Sequence, residues 1–176
     1  MIHNAGSVQG GREEVAEKGA IFAEQKLALV RSSTMLKAFD VNCVGPLRVQ
    51  QALTAQMASP GGKVVLLSTG MASIADNGSG GLYPYRCSKA AMNMLAKGLA
   101  CDLKEKGICV CPVAPGFVAT EFGMGSEEMA KMGAAPVEQA TRGILEGVDT
   151  KMGTVEGSGV NWMIPTKGGE PKIMPW

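Results

Sequence analysis

The chain has 176 residues, 45% of them apolar and 19% charged, which suits one domain with a buried core and does not require disorder. A formal net charge of +1 gives no electrostatic pull toward nucleic acid or an anionic membrane. No apolar run approaches the ~18 residues that span a bilayer, and the single histidine, His3, excludes a histidine-rich metal centre.

Met1 to Gly6 is a short apolar lead into Asn4-Ala5-Gly6, and the residues through Gly11 are turn-like. Glu13 to Gln25 is polar and alanine-bearing, open between a short helix and a loop. From Thr34 to about Ala58, Met35, Phe39, Cys43, Leu47, Val49, Leu53 and Met57 recur at helical intervals, with Gly45-Pro46 as an interruption. Lys63 to Leu67 is a short apolar run without alternation, the mark of a strand buried on both faces. Gly70 to Pro84 reads as a loop, and Tyr85 to about Lys106 as a helix capped by Gly107. Ile108 to Val113 is a second buried strand. Strand, helix, strand with short connections predicts a parallel sheet covered by helices. A short helix from Ser126, a helix over Val137 to Val148 with Pro136 at its first position, and a last strand within Gly159 to Ile164 complete the pattern before a glycine- and proline-marked tail. Five cysteines without a CxxC pair read as reduced thiols.

The most informative stretch is Tyr85-Arg86-Cys87-Ser88-Lys89. Residues four apart on a helix share a face, so the lysine ammonium is brought toward the phenol. A phenol titrates near ~10, and a nearby positive charge favours its phenolate, which fits proton exchange with a carbonyl or alcohol oxygen. Ser68 and Thr69 end one strand and Pro115-Gly116 follows the other, and such strand ends are where parallel sheets place ligands. Asn42 lies at the helix interruption, where a displaced carbonyl would hold a water.

Taken together, Asn4-Ala5-Gly6, Asn42 within Asp40 to Leu47, Ser68-Thr69, Tyr85 with Lys89, and Pro115 to Thr120 resemble the short-chain dehydrogenase/reductase family in order and spacing. Tyr83 to Asn93 and the ending Ile173 to Trp176 are similar to its carbonyl-reductase branch. The resemblance implies an α/β fold, the C-terminal portion of a doubly wound parallel-sheet Rossmann fold, and an oxidoreductase that moves hydride between a nicotinamide cofactor, NADP or NAD, and a carbonyl or alcohol. By that resemblance Tyr85 donates the proton and Lys89 lowers its pKa and holds the nicotinamide ribose. Asn42 maintains a relay water, Asn4, Ala5 and Gly6 support the sheet beside the cofactor, and Pro115, Gly116, Val118 and Thr120 line the nicotinamide. The catalytic hydroxyl, a serine in the family, falls on Thr69, with Ser68 as the alternative. His3 stands where the family commonly has asparagine and is expected to act in packing. Met124 to Met132 falls where the family often carries its substrate-covering segment, which suits an apolar carbonyl compound.

No Gly-x-x-x-Gly-x-Gly precedes Asn4, so residues 1–176 are expected to form a partial domain lacking the Gly-rich unit that receives the pyrophosphate. A homo-oligomer or a larger protein complex is expected to cover the exposed sheet edge. The alternative is a noncatalytic structural or assembly subunit retaining the partial fold. The cytoplasm is the default location, with an organellar complex open.

Overall fold

The computed structural model describes residues 1–8, 26–122 and 125–176. The undecided Glu13 to Gln25 stretch lies outside the described residues, as do Gln9 to Gly11 of the turn-like lead and Met124 of the expected covering segment.

Among the described residues five strands form one sheet in sequential order: β1 (Ile2–His3), β2 (Lys63–Leu67), β3 (Cys109–Ala114), β4 (Trp162–Met163) and β5 (Lys172–Ile173). The first four are parallel, and β5 returns antiparallel to β4. In β2 and β3 the register runs from Lys63 opposite Cys109 to Leu67 opposite Val113. Both strands are buried on two faces, which is why their sequences lack alternation. Val64, Leu66 and Val110 point into one core with Met92, Ala96 and Ala100, while Val65, Cys111 and Val113 point into another with Ile144, Val148, Met152 and Trp162. Helices therefore cover both faces, and the α/β, doubly wound character expected from the sequence is observed.

The helical run before β2 is divided into α1 (Ser32–Phe39), a π turn at Asp40–Val44, α2 (Gly45–Leu53) and a 3-10 turn at Thr54–Gln56. Pro46 explains the division: its ring nitrogen cannot supply the donor that an α-helix would direct at the Asn42 carbonyl. Next come α3 (Tyr83–Asp102), α4 (Ser126–Lys131) and α5 (Val137–Gly147). The 20 residues of α3 end in a 3-10 turn and Gly107, whose φ of +64° accommodates the left-handed cap. Pro84 sits in its first turn, where a missing donor is harmless.

Three expectations are corrected. Pro136 is extended and precedes α5 as its cap instead of occupying the first helical position. The last parallel strand contracts to Trp162–Met163, because Gly159 turns with φ +70°. The tail is not wholly irregular, since Lys172–Ile173 adds the antiparallel edge strand. All five cysteines are free thiols, and among the described residues no helix is long and apolar enough to cross a membrane.

Candidate active site

Parallel pairing brings the C-terminal ends of β1, β2 and β3 to one edge of the sheet, so Asn4 to Gly6, Ser68-Thr69 and Pro115-Gly116 emerge on the same side. Helix α3 begins on that side after Leu82, whose φ of 51° is unusual for a residue with a branched side chain. Its buried face carries Ser88, Lys89, Met92, Asn93, Ala96 and Ala100, a helical stripe interrupted by polar groups. Polar side chains on a core-facing stripe must find partners, and three of those partners define the site.

Asn42 is fully buried in the π turn. Its Oδ1 accepts from the Ser7 amide at 2.7 Å, and its Nδ2 donates to the Ser7 carbonyl at 2.7 Å and to Ser88 Oγ at 2.9 Å. Ser88 Oγ in turn donates to the Tyr85 carbonyl at 2.9 Å. One asparagine thus clamps the segment after β1 to the first turn of α3. A Cβ placed on Gly6 would lie 3.5 Å from Asn42 Oδ1 and 3.6 Å from Lys89 Nζ, so the glycine leaves open a space walled by both.

The two candidate hydroxyls behind β2 separate cleanly. Ser68 is buried and donates to Asn93 Oδ1 at 2.6 Å, facing inward. Thr69 Oγ1 accepts from the Met71 amide at 3.2 Å and hydrogen-bonds the Tyr85 side chain. The Tyr85 ring also tilts against Phe122, with centroids 5.9 Å apart.

Burial dominates the electrostatics. Tyr85 has its pKa raised, chiefly by desolvation, with the Thr69 hydrogen bond opposing. Lys89 is 4% exposed, and desolvation lowers its pKa from 10.5 to about 8. Lys89 Nζ donates to the Leu67 carbonyl at 2.6 Å. An ammonium has three donors, and besides the Leu67 carbonyl Lys89 Nζ meets the weak Met92 thioether acceptor at 3.9 Å.

After β3, Gly116 has φ +81°, and a Cβ there would meet the Ile164 carbonyl at 2.7 Å. Phe117 donates its amide to Thr166 Oγ1 at 3.0 Å, and Val118 forms a parallel bridge with Ala135. Pro115 through Thr120 is half-buried, and Thr120 Oγ1 accepts from the Phe122 amide at 3.3 Å. His3 lies apart, with its Nε2 3.2 Å from Gln50 Oε1 in the packing between β1 and α2.

Sequence reasoning did not assign Ser88, Asn93, Phe122 or Thr166. Ser88 and Asn93 were visible as polar residues on the buried stripe of α3, whereas Phe122 and Thr166 come from loops that carry no periodic signal.

A family model described as short chain dehydrogenase matches residues 1–131. The chain is 34% identical over 113 residues to 1-hydroxy-2-glutathionyl-2-methyl-3-butene dehydrogenase of Rhodococcus sp. (strain AD45), covering 64% of this chain and 49% of that protein. It is 33% identical over 116 residues to C-signal of Myxococcus xanthus, covering 65% of this chain and 66% of that protein. Among solved structures, carbonyl reductase Sniffer of D. melanogaster superposes with a TM-score of 0.72 at 26% identity, over 86% of this chain and 60% of that one. The chain thus spans between about half and two thirds of the length of these relatives.

Proposed function

The chain belongs to the short chain dehydrogenase family, and on that premise we propose that it carries the proton-transfer and nicotinamide-side half of an oxidoreductase acting on a small carbonyl or alcohol substrate. The observation that carries this reading is the grouping of Tyr85, Thr69 and Lys89 at the strand ends, with Lys89 a buried ammonium that donates to the Leu67 carbonyl.

The residues present fit the nicotinamide-ribose end of NADP or NAD. Gly6, with no side chain beside Lys89 Nζ and Asn42 Oδ1, lets the ribose approach that ammonium, whose remaining N–H groups would donate to the ribose hydroxyls. Pro115, Gly116, Val118 and Thr120 form a half-buried wall for the nicotinamide ring, and Asn4 and Ala5 lead from β1 into the Gly6 turn. When bound, the cofactor supplies hydride to the carbonyl carbon. Tyr85 delivers the proton to the carbonyl oxygen as general acid. Thr69 donates to the same oxygen as charge develops on it. Asn42, through the π turn, holds the segment that would seat the relay water.

The pyrophosphate end needs a Gly-rich strand, turn and helix, and the described residues hold no such unit. We assign it to a further polypeptide segment, of the same or a second chain, pairing along the free edge of β1. Two features support this: β1 pairs only with β2 among the described residues, and a groove of about 200 Å³ lined by Ile2, Asn4, Leu67, Thr141, Ile144 and Leu145 includes its Ile2. The test is to recover the protein from its source with its bound partners and assay NADPH and NADH oxidation with apolar ketones and aldehydes. Turnover that Tyr85→Phe abolishes supports the reading, and folded complex without turnover on either cofactor overturns it.

A further inference from the structure

A half-enclosed cavity of about 310 Å³ opens on a different face of α3 from the one that presents Tyr85 and Lys89. Ala90, Asn93, Met94 and Lys97 form one wall, at the spacing of a single helix face, and Ala72, Ile74 and Trp176 form the other. None of the residues assigned above to proton transfer or the cofactor lines it. Its volume falls at the lower end of the ~300–1,000 Å³ typical of small-molecule sites.

The walls are fixed by hydrogen bonds. The Trp176 carbonyl accepts from the Ala75 amide at 3.0 Å and from Ser73 Oγ at 3.3 Å, while Asn161 Nδ2 donates to the Pro175 carbonyl at 3.0 Å. The cavity is therefore held between two tethered segments. Its lining is apolar except for two donors. Asn93 is 3% exposed, and while its Oδ1 accepts from Ser68, its buried Nδ2 has no partner. Lys97 Nζ donates to the Gly159 carbonyl at 3.3 Å, which uses one of its three N–H groups. No acidic side chain lines the cavity, and the exposed Lys97 is its one charged lining residue.

We infer that this cavity binds a small apolar carboxylate, its body against Ile74, Met94 and Trp176 and its carboxylate facing Lys97. An apolar body matches the walls, an anionic acceptor matches the Lys97 cation, and charge-assisted hydrogen bonds are the stronger kind. The site is independent of the proposed reaction and requires neither cofactor nor substrate.

The chain has two tryptophans, and Trp162 is buried in the core on one sheet face, which leaves Trp176 as a local reporter. The full chain is titrated with 2-naphthoate and with the neutral 2-acetylnaphthalene while tryptophan fluorescence is followed. The expected result is a saturable naphthoate signal that Trp176→Phe removes. Lys97→Met weakens naphthoate about fivefold, the ceiling for an exposed ion pair, and leaves the ketone unchanged. Ile74→Glu, at a position 78% exposed and so tolerated by the fold, weakens naphthoate tenfold or more through like-charge repulsion. No saturable signal, or naphthoate binding that Ile74→Glu and Lys97→Met leave unchanged, overturns the proposal.

Discussion

Replacing Lys89 by methionine should make the protein more stable at neutral pH while removing the group proposed to hold the ribose. Burial lowers the Lys89 pKa from 10.5 to about 8, and a shift of that size corresponds to ~3 kcal/mol of penalty on the charged form. Below the folded pKa the ammonium is charged in both folded and unfolded chains, so the full penalty is present at pH 7. Between about 8 and 10.5 the folded chain releases the proton while the unfolded chain keeps it, and stability rises with pH. Methionine has no charge to desolvate and a similar length, but it leaves the Leu67 carbonyl without its 2.6 Å donor, a loss of ~1 kcal/mol. The variant should therefore gain ~2 kcal/mol at pH 7, and its advantage should vanish by about pH 10. Cys111, whose thiol is pushed up to about 12 by burial, destabilises both proteins as pH rises above its ordinary 9.0, and it cancels in the difference. Urea unfolding of both proteins at pH 7 and pH 10 measures that difference. A variant less stable than the parent at pH 7, or a difference that does not change with pH, would refute the reasoning.

With only two tyrosines in the chain, phenolate absorbance can follow Tyr85 beside Tyr83. Thr69→Val should raise the Tyr85 midpoint by removing the opposing hydrogen bond, and Thr69→Ser should restore it. Ser68→Ala should leave that midpoint in place yet lose ~1–2 kcal/mol in urea unfolding, because Asn93 Oδ1 is left without its donor. Asn42→Ala removes three buried hydrogen bonds and should lose ~3 kcal/mol, with the Ser7 amide exchanging faster by hydrogen exchange. Gly116→Ala forces a Cβ into a left-handed backbone 2.7 Å from the Ile164 carbonyl and should lose ~2 kcal/mol or more, read from the urea midpoint.

The elements legible in the sequence are those whose burial leaves a compositional trace. The unbroken apolar runs of Lys63 to Leu67 and Cys109 to Ala114 mark strands covered on both faces, and the helical spacing from Tyr83 to Asp102 marks α3. Gly45-Pro46 marks an interruption, though only the coordinates show that it takes the form of a π turn over Asp40 to Val44. Lys172–Ile173 leaves no trace because both side chains are exposed and the pairing runs through the backbone alone. At the site, the motif identifies Tyr85 and Lys89, but a shift of one residue decides whether Ser68 or Thr69 meets the phenol, and that register is a property of the packed strand. The ionisation balance was also out of reach, since desolvation depends on neighbours distant in sequence. Lys89 is read for its action on the Tyr85 charge, and the lowering of its own pKa by burial carries no mark in the motif.

The central claim is that this chain holds the nicotinamide end of the cofactor through Lys89. Reduced nicotinamide mononucleotide carries that end without the adenylate half, so its binding to the chain, followed by its own fluorescence, separates the two. The account predicts weak saturable binding that Lys89→Met abolishes with the fold intact. Binding unaffected by Lys89→Met, or no binding to the folded parent chain at any attainable concentration, would contradict it.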